Sequence, residues 1–302
     1  MDLKSKIILI YGPTASGKST FAIKLAKEIN GEIINADSMQ VYKELKVLSA
    51  RPSSKDYKKI RHHLYGFMSV KKNFSAGEWL RLVEQKIFDL KKRKKVPIIV
   101  GGTGLYFKVL TEGLVNIPKI PIKFREKVRS LHKKIGSTKF FLKLIKLDPL
   151  TKNRINSSDT QRIIRAYEIK LYTQKSIYKW FDKTKSNFEN KNFLKIYLDF
   201  PRKKLLERIN LRAEKMIKNG AILEVKKFVN LKISKSKTAN KAIGIYEIKD
   251  YLNEKTEIQD VIEKISIKTR QYAKRQSTWG RGNMIDWIKV KPSYLNNFLK
   301  KI

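Results

Sequence analysis

Residues 12–19, with the sequence GPTASGKS, match the phosphate-loop pattern G-x-x-x-x-G-K-[ST] and decide the fold of this chain. The run Ile7–Tyr11 before the loop is short and apolar, which is typical of a buried strand. From Phe21 to Ile29 apolar residues recur at helical spacing, and Gly31 stands where a glycine is expected after a helix C-terminus. A strand, the loop and a helix in this order are the structural context that the pattern requires.

The loop is suited to hold phosphate groups. Its glycines let the backbone turn so that successive N–H groups point at phosphate oxygens, and the following helix adds the positive end of its dipole. Lys18 supplies a positive charge for the terminal phosphates, and the hydroxyl of Ser19 can ligate Mg²⁺. The pattern therefore predicts a phosphorylated ligand without naming it.

Further strands and helices alternate after the loop. Ile33 and Ile34 begin a second strand that leads to Asp37. Ser75 with Glu78 forms a capping box, which predicts a helix that the basic segment 91–95 closes. A third strand, 96–100, ends in the glycine-rich turn 101–104. This alternation predicts a parallel sheet with right-handed crossovers.

Pro118 and Pro121 mark a change of organisation. The sequence from there to about Asn192 reads as almost wholly helical, 196–200 reads as a strand, and a helix follows from Pro201 to about Gly220. The serine- and lysine-rich segment 233–242 is predicted to be a mobile loop. We therefore predict an α/β fold in which a P-loop parallel-sheet core, residues 1–116 and 193–302, is interrupted by a mostly helical insertion at 117–192.

The chain is strongly basic, with 68 Lys and Arg against 27 Asp and Glu and a formal charge of +41. Such an excess repels itself unless polyanions are partners, which favours a nucleic acid. A lysine-rich, AT-biased coding sequence is the alternative, and the abundance of Lys, Ile and Asn supports it. Charge alone leaves both explanations open.

Other features of the composition predict a cytoplasmic enzyme. The chain has no cysteine, so disulfides and thiolate chemistry are excluded. No stretch approaches the ~18 to 20 apolar residues of a membrane span. The N-terminal apolar run is too short for a signal peptide and ends in a glycine-rich turn.

The position of the acidic residues is unusual for a nucleotide-hydrolysing or phosphoryl-transferring P-loop protein. Such proteins place a metal-binding carboxylate at the end of a hydrophobic strand, but the strand at 96–100 is followed by Gly-Gly-Thr-Gly. The strand-end acid nearest in sequence is Asp37. Asp37 could ligate a metal, act as a base, or only cap a turn.

Seven motifs occur in one order along the chain: GPTASGKS, INADSMQVY, HHLYG, PIIVGGTGLYF, SSDTQRIIRAYEI, KAIGIYEI and TRQYAKRQSTW. Together they resemble the tRNA dimethylallyltransferase family, over essentially the whole chain from Ile7 to about Trp287. The family has a P-loop kinase-like fold but moves a prenyl group from a diphosphate donor to an adenine beside the tRNA anticodon. The resemblance implies Mg²⁺ as cofactor, and dimethylallyl diphosphate and the anticodon stem-loop of tRNA as partners. We expect a monomer.

The resemblance also implies roles for single residues. Asp37 would accept the proton of the adenine amine, and Thr103 would help it. Thr14 would lie near the donor, Ser19 near Mg²⁺, and Arg212 near the diphosphate. The residues implied in donor binding are Gly12, Pro13, Thr14, Ala15, Ser16, Gly17, Lys18, Ser19 and Arg212.

Two segments and one further position, Arg125 after the proline boundary, match those that contact the tRNA in the family. The implied contacts are Asp37, Ser38, Met39, Gln40, Arg125, Gln161, Arg162, Ile163, Ile164 and Arg165. Gln161 and Arg165 are four residues apart and share a face of the predicted helix, whose start a capping box of Ser158 with Gln161 would fix. On spacing alone, Arg162 and Arg165 could equally be a solvated basic face.

Other candidates stay open. Arg270, Lys274 and Arg275 alternate with Tyr272 and Trp279, a pattern that can grip RNA, although the two aromatic residues could also be core. His62-His63 lacks the cysteines or acids of a zinc site, which favours a structural role.

The chain departs from the family pattern at several positions. Leu48-Ser49-Ala50-Arg51-Pro52 replaces G-T-A-K-P, Gln174 replaces a glycine, and Gly280 replaces a phenylalanine. None of these changes touches the phosphate loop, Asp37 or Thr103.

Two other functions compete with prenyl transfer. A small-molecule kinase would use ATP in the phosphate loop, but a second strand-end acid is missing. An RNA-binding protein without activity could keep the loop as a scaffold, but this does not explain why Lys18, Ser19, Asp37 and Thr103 are all present.

Overall fold

The computed structural model describes residues 3–53, 55, 57, 59–182, 184–291 and 298 of the 302-residue chain. Within them the chain forms a six-stranded sheet in the order β3-β2-β4-β1-β5-β6, with all pairs parallel. The predicted α/β fold is thereby confirmed. The strands are β1 (Ile7–Tyr11), β2 (Gly31–Asn35), β3 (His62–His63), β4 (Val96–Gly101), β5 (Phe193–Leu198) and β6 (Ile288–Val290).

Helices lie between these strands in the sequence. The α-helices are α1 (Lys18–Glu28), α2 (Ala76–Lys92), α3 (Gly104–Glu112), α4 (Ile122–Ile135), α5 (Ser137–Leu147), α6 (Thr160–Thr173), α7 (Ile177–Phe181), α8 (Arg202–Lys218), α9 (Ala221–Asn230), α10 (Ile245–Leu252) and α11 (Ile258–Asn283). No helix in the described part of the chain is both long and apolar enough to cross a membrane.

The register of the central strands brings their carboxyl ends together. Tyr11, the last residue of β1, pairs with Gly101 of β4, and Asn35 at the end of β2 pairs with Val100. The phosphate loop, the segment after β2 and the turn after β4 therefore leave the sheet at one edge. Ligands bind at this edge of open parallel sheets, where connections diverge.

Both faces of the sheet are buried, which explains the continuous apolar strands. Successive side chains of β1 alternate between the faces. Ile7, Leu9 and Tyr11 pack in the larger cluster with α2, α3, α9 and α10, whereas Ile8 and Ile10 pack in a second cluster with α1.

Ser75 caps α2 as predicted. Its hydroxyl accepts a hydrogen bond from the backbone N–H of Glu78 at 3.2 Å, and its own N–H donates to the Glu78 carboxylate at 2.8 Å. Two orphan donors of the helix start are thus satisfied.

Other local predictions were wrong in detail. Asn30, not Gly31, takes the left-handed conformation after α1, with φ of 54°. The strand expected at 196–200 begins earlier, at Phe193. The segment 233–242 contains a short 3₁₀ turn, Thr238–Lys241, and buries Ala239 and Ala242 against the core.

His63 has the structural role that the sequence favoured. Its Nε2 lies 2.6 Å from Oε2 of Glu32, and the guanidinium of Arg93 lies 2.8 Å from Oε1 of the same buried carboxylate. Burial alone would raise the pKa of Glu32, but the hydrogen bonds from Arg93 and His63 lower it to about 2. Through these two contacts Glu32 links β2 to β3 and to the end of α2.

The chain divides into two compact units, residues 1–111 with 188–302 and residues 112–187. We call them the sheet unit and the helical unit. The boundaries lie five residues before those predicted, 117 and 192. In the helical unit α4, α5 and α6 enclose a core of its own, to which Val128, Phe140, Leu144 and Ile163 contribute.

Helix α6 begins and ends differently from the prediction. Asp159, not Ser158, is its N-cap, and the Asp159 carboxylate accepts from the N–H of Arg162 at 3.1 Å. At the other end Gln174 is left-handed, with φ of 56°. This conformation explains why a glycine is the family residue there, because a Cβ is strained at this φ.

Replacement of Gln174 by glycine should stabilise the helical unit. The relief of left-handed strain, about 1 kcal/mol, outweighs the exposed hydrogen bond that the Gln174 side chain donates to the Leu171 carbonyl. Urea unfolding followed by circular dichroism should show a higher midpoint for Gln174→Gly. Gln174→Ala, which keeps the Cβ, should show no gain, and an equal gain in both variants would contradict this account.

Candidate active site

The phosphate loop has the conformation of an anion cradle. Gly17 and Ala15 are left-handed, with φ of 84° and 62°, and Gly17 caps α1 without a side-chain hydrogen bond. The first N–H groups of a helix have no intrahelical partner and favour an anion. The buried Ser16 hydroxyl likewise has no hydrogen-bond partner within the described residues. The loop thus offers several unsatisfied donors in one place.

Lys18 places a positive charge in this cradle. Its ammonium donates to the Pro13 carbonyl at 3.1 Å. Desolvation lowers the pKa of Lys18 to about 8, the nearby Asp37 carboxylate opposes this decrease, and Arg212 adds to it. A buried ammonium beside a second cation is stabilised when an anion binds.

Arg212 comes to the loop from α8. Its guanidinium donates to the hydroxyl of Thr14 at 3.1 Å and to the carbonyl of Ser49 at 3.4 Å. Burial lowers the pKa of Arg212, and the Asp37 carboxylate opposes that effect. The structure thus places Arg212 beside the phosphate loop, where the sequence predicted it.

Asp37 stands in a rigid turn directly after β2. The Asn35 amide holds both backbone polar groups of Asp37, at 2.8 and 3.0 Å. Oδ1 of Asp37 accepts from the N–H groups of Met39 and Gln40 at 2.9 and 3.3 Å. Within the described residues no hydrogen bond or ion pair to Oδ2 is seen. Capping a turn and acting as a base are therefore compatible, because they use different oxygens.

Thr103 lies against this turn. Its hydroxyl accepts from the N–H of Ser38 at 3.0 Å, and its own N–H donates to the Ala36 carbonyl at 3.2 Å. A Cβ on Gly101 would come within 2.0 Å of that carbonyl. Gly101 therefore lets the turn after β4 lie against the segment after β2, and this places Thr103 next to the turn that carries Asp37.

A polar cavity of about 250 Å³ opens over the phosphate loop. Lys18, Arg208 and Arg212 supply its positive charge, and Asp37 is its acid. Its dimensions and charge suit a diphosphate group.

A second cavity, of about 320 Å³, is mainly apolar. Its lining includes Met39, Leu48, Met216, Ala242 and Ile243. It shares four lining residues with the polar cavity, which are Thr14, Asp37, Ser49 and Arg212. An anion site and an apolar site therefore meet beside the Asp37 carboxylate.

Tyr272 of α11 also lines the apolar cavity. Burial and the Asp37 carboxylate raise the pKa of Tyr272, and hydrogen bonds with Thr103 and Gln276 offset part of the increase. The hydroxyl thus stays protonated beside the predicted catalytic residues. Of the two aromatic residues left open by the sequence, Tyr272 faces the site, whereas the Trp279 ring packs on Gly104.

Sequence reasoning missed Arg208. Its guanidinium donates to the Ala15 carbonyl at 3.3 Å and stacks over the ring of Phe200 at 4.4 Å. Arg208 lies one helical turn before Arg212 in α8, and this spacing is the signal that could have revealed it.

The predicted tRNA contacts fall in both units. Asp37, Ser38, Met39 and Gln40 form the partly exposed turn of the sheet unit. In the helical unit, Gln161 and Arg162 are exposed and Ile164 is partly exposed on α6. The side chain of Ile163 is 1% exposed and packs in the helical core, so of this implied contact only the backbone stays a candidate.

Three arginines of the helical unit form ion pairs with Glu168, an arrangement that the sequence did not predict. Its buried carboxylate lies 3.2 Å from Nε of Arg125, 3.8 Å from Nε of Arg129 and 3.4 Å from Nη1 of Arg165. One negative charge thus orients three guanidinium groups and leaves a net positive surface.

The donor set fits one Mg²⁺ that also uses phosphate oxygens. Ser19 and Asp37 line the polar cavity together, and Mg²⁺ keeps waters and takes one or two protein ligands beside substrate phosphates. Within the described residues there is no cluster of three His, Cys, Asp or Glu side chains that could hold a metal alone.

The departures from the family pattern are accommodated locally. The Arg51 guanidinium donates to the carbonyls of Tyr42 and Lys43 at 2.8 and 3.3 Å and lies where a Cβ on Gly66 would stand. Gly280 packs so closely that its Cβ would lie 2.8 Å from the Tyr11 ring. A phenylalanine at 280 would therefore require a different packing.

The fold and the site define a P-loop α/β enzyme with an anion cradle next to an apolar cavity. The sequence model of the IPP transferase family matches residues 40–283. The tRNA dimethylallyltransferase of Pelagibacter ubique (strain HTCC1062) is 59% identical over all 302 residues, which cover 96% of that protein. That of Agrobacterium fabrum is 42% identical, over 97% of this chain and 99% of that protein. The chain belongs to the IPP transferase family and is a transferase.

Solved structures agree with this assignment. A tRNA delta(2)-isopentenylpyrophosphate transferase from Staphylococcus epidermidis aligns with a TM-score of 0.69 and 31% identity, over 98% of this chain and 96% of that one. A eukaryotic dimethylallyltransferase acting on tRNA aligns with a TM-score of 0.83 and 28% identity, over 95% of this chain and 73% of that one.

The affinity of the cradle for an alkyl diphosphate should fall above pH 8. Protonated Lys18, whose pKa is lowered to about 8, binds the anion, so each further pH unit costs up to about tenfold in affinity. The ligand does not titrate here, because the last pKa of a phosphate lies near ~6. Calorimetry between pH 7 and 10 measures this. Lys18→Arg should flatten the profile, and a flat wild-type profile would exclude Lys18 as the pH-dependent group.

Proposed function

We propose that this chain transfers the dimethylallyl group of dimethylallyl diphosphate to the N6 amine of an adenine adjacent to the tRNA anticodon, and releases diphosphate. The observation that carries the proposal is the meeting of the polar and apolar cavities beside Asp37 in a chain of this family. The diphosphate would occupy the cradle of Gly12–Ser19, and the prenyl group and adenine would meet at the apolar side.

The chemistry of the acceptor requires a base. The lone pair of an adenine N6 amine is delocalised into the ring, so the amine is a weak nucleophile until its proton leaves. In the proposed step the N6–C1 bond forms, the C1–O bond of the donor breaks, and the amine proton passes to Oδ2 of Asp37. Thr103 would support Asp37 indirectly, because its hydroxyl accepts a hydrogen bond from the backbone N–H of Ser38.

The departing diphosphate gains negative charge as the C1–O bond breaks. Lys18, Arg208, Arg212 and the free N–H groups of the loop are placed to stabilise it. Mg²⁺ held by Ser19 would add further charge stabilisation at the diphosphate oxygens. The cations are fixed by contacts to Pro13, Ala15 and Thr14, so little reorganisation is needed at the moment of reaction.

The acceptor must leave its base stack to reach such a site. Enzymes that modify bases extrude them into a pocket. The turn from Asp37 to Gln40 would contact the everted adenine, and Arg125, Gln161, Arg162, Ile164 and the backbone of Ile163 would bind the RNA with Arg165. The basic composition suits this partner, and we expect a cytoplasmic monomer.

The direct test is incubation of the purified protein with Mg²⁺, dimethylallyl diphosphate and a tRNA whose anticodon loop carries adenines. Nucleoside mass spectrometry should find an isopentenyl increment on one adenine. Consumption of labelled ATP without that product would favour a kinase instead, and binding of the tRNA without either product would favour an RNA-binding protein.

Substitution of Asp37 separates the base from the turn. Asp37→Asn keeps an acceptor at Oδ1 for Met39 and Gln40 but removes the base, so single-turnover rates should fall by about 10²- to 10⁴-fold with tRNA affinity unchanged. Asp37→Ala removes both functions and should weaken tRNA binding as well. A rate for Asp37→Asn near that of the wild type would remove Asp37 as the base.

Substitution of Arg162 and Arg165 should reduce the salt dependence of tRNA binding. If each contacts a phosphate, the slope of log K against log salt should decrease in magnitude by about 1.4 to 1.8 in the double alanine variant. Filter binding at several salt concentrations measures it. The variant with alanine at Lys133 and Lys134, two exposed cations of the same unit, is the control and should change the slope less. Equal changes would place the RNA elsewhere.

A further inference from the structure

A glutamine of α11 bridges the two halves of the candidate active site. The side chain of Gln276 is 5% exposed. Its Oε1 accepts from the backbone N–H of Thr14 in the phosphate loop at 2.8 Å, and its Nε2 donates to the carbonyl of Gly102 at 2.8 Å. One amide group therefore touches the donor cradle and the turn that carries Thr103.

The direction of the amide is fixed by its partners. A backbone N–H can only donate and a carbonyl can only accept, so the oxygen must face Thr14 and the nitrogen must face Gly102. The main chain at Gln276 is held as well, because the Tyr11 hydroxyl donates a hydrogen bond to the main-chain carbonyl of Gln276 at 2.7 Å. A Cβ on Gly102 would lie 2.1 Å from Nε2, so the turn reserves the space that the amide fills.

Both partners lead directly to groups that the proposed reaction uses. Thr14, held at its N–H by Gln276, accepts at its hydroxyl from Arg212. The residue after Gly102 is Thr103, whose hydroxyl accepts a hydrogen bond from the backbone N–H of Ser38, the residue that follows Asp37. One side chain with two hydrogen bonds thus links the donor cradle to the turn that carries Thr103.

We propose that Gln276 is a positioning residue that sets the donor cradle against the Thr103–Asp37 turn. It is not among the lining residues of either cavity and acts through Thr14 and Gly102. Gln276 also occupies the backbone N–H of Thr14, so the diphosphate would bind to the later backbone amides of the loop. This would fix the position of the donor's reacting carbon relative to Asp37. This inference rests on the proposed prenyl transfer.

Only a side chain with one donor and one acceptor at these two points can make the bridge. Methionine has a similar length but offers neither of the two hydrogen bonds. A glutamate carboxylate offers two acceptors, so one of its oxygens would face the Gly102 carbonyl oxygen without a hydrogen bond. The protonated carboxyl group again has one donor and one acceptor. This difference separates positioning from packing.

The first experiment compares Gln276→Met with Ser266→Ala. Ser266 is a second buried polar residue of α11, ten positions earlier and 5% exposed. At saturating donor and tRNA, and per folded molecule, kcat of Gln276→Met should fall by about 10- to 100-fold, as a misplaced reacting group does. The Kd for tRNA should not change. Ser266→Ala should lower stability but keep kcat.

The second experiment is the pH profile of Gln276→Glu. The ratio of its kcat to that of the wild type should rise as pH falls, by up to about tenfold per unit, because the protonated form of the introduced carboxyl restores the bridge. A flat ratio, or a Gln276→Met enzyme with wild-type kcat per folded molecule, would overturn the proposal.

The wild-type control keeps the two proposals distinct. If wild-type protein transfers no prenyl group to tRNA, the proposed function fails before any variant is compared. If the wild type is active and the variants behave as packing variants only, the function stands and the role of Gln276 falls.

Discussion

The site depends on positive charges held out of water at the end of β1. Lys18 and Arg212 share a cavity in which, among the described residues, Asp37 supplies the only acidic lining group, and burial lowers the pKa of both cations. Desolvated like charges are unfavourable until an anion joins them. Binding of an anion would offset this unfavourable energy, and in the proposed reaction the same cations would stabilise the charge that grows on the leaving group.

The parallel sheet supplies the geometry for this chemistry. Because β1, β2 and β4 are neighbours in register, their carboxyl ends deliver the phosphate loop, Asp37 and Thr103 to one edge. Glycines at the turn allow closer contact than any other residue would, as the near approach of Gly101 to Ala36 shows. Helices α8 and α11 then close this edge, with Arg212 on one and Gln276 on the other. A common phosphate-binding fold is thereby joined to a second cavity with a mainly apolar lining.

The helical unit uses a different electrostatic device. Three arginines share the single buried carboxylate of Glu168, so that their guanidinium groups are oriented while the surface stays positive. Such pre-orientation reduces the side-chain entropy that is lost when an arginine binds a phosphate. A polyanion that contacts this surface would thus meet fixed groups and not freely moving ones.

The sequence alone determined the fold class, the phosphate loop, and the strand-end positions of Asp37 and Thr103. These follow from apolar runs and glycine patterns within short segments, and β1 and α1 match them closely. The family motifs further pointed to Arg212. Details of local structure failed where the signal was ambiguous, as with Ser158 and Asp159 at the start of α6. The inward side chain of Ile163 was not predicted either, because a motif match does not show which face of a helix a residue occupies.

Only the tertiary structure decided which distant residues complete the site. Gln276 lies 174 residues from Gly102 and 262 from Thr14. Contacts of this kind leave no periodicity in the sequence, because they depend on how helices pack on the sheet and not on the local preference of either segment. For the same reason the apolar cavity could not be predicted from the sequence, because it is assembled from five separate parts of the chain: the phosphate loop, segment 37–49, α8, segment 241–243 and α11.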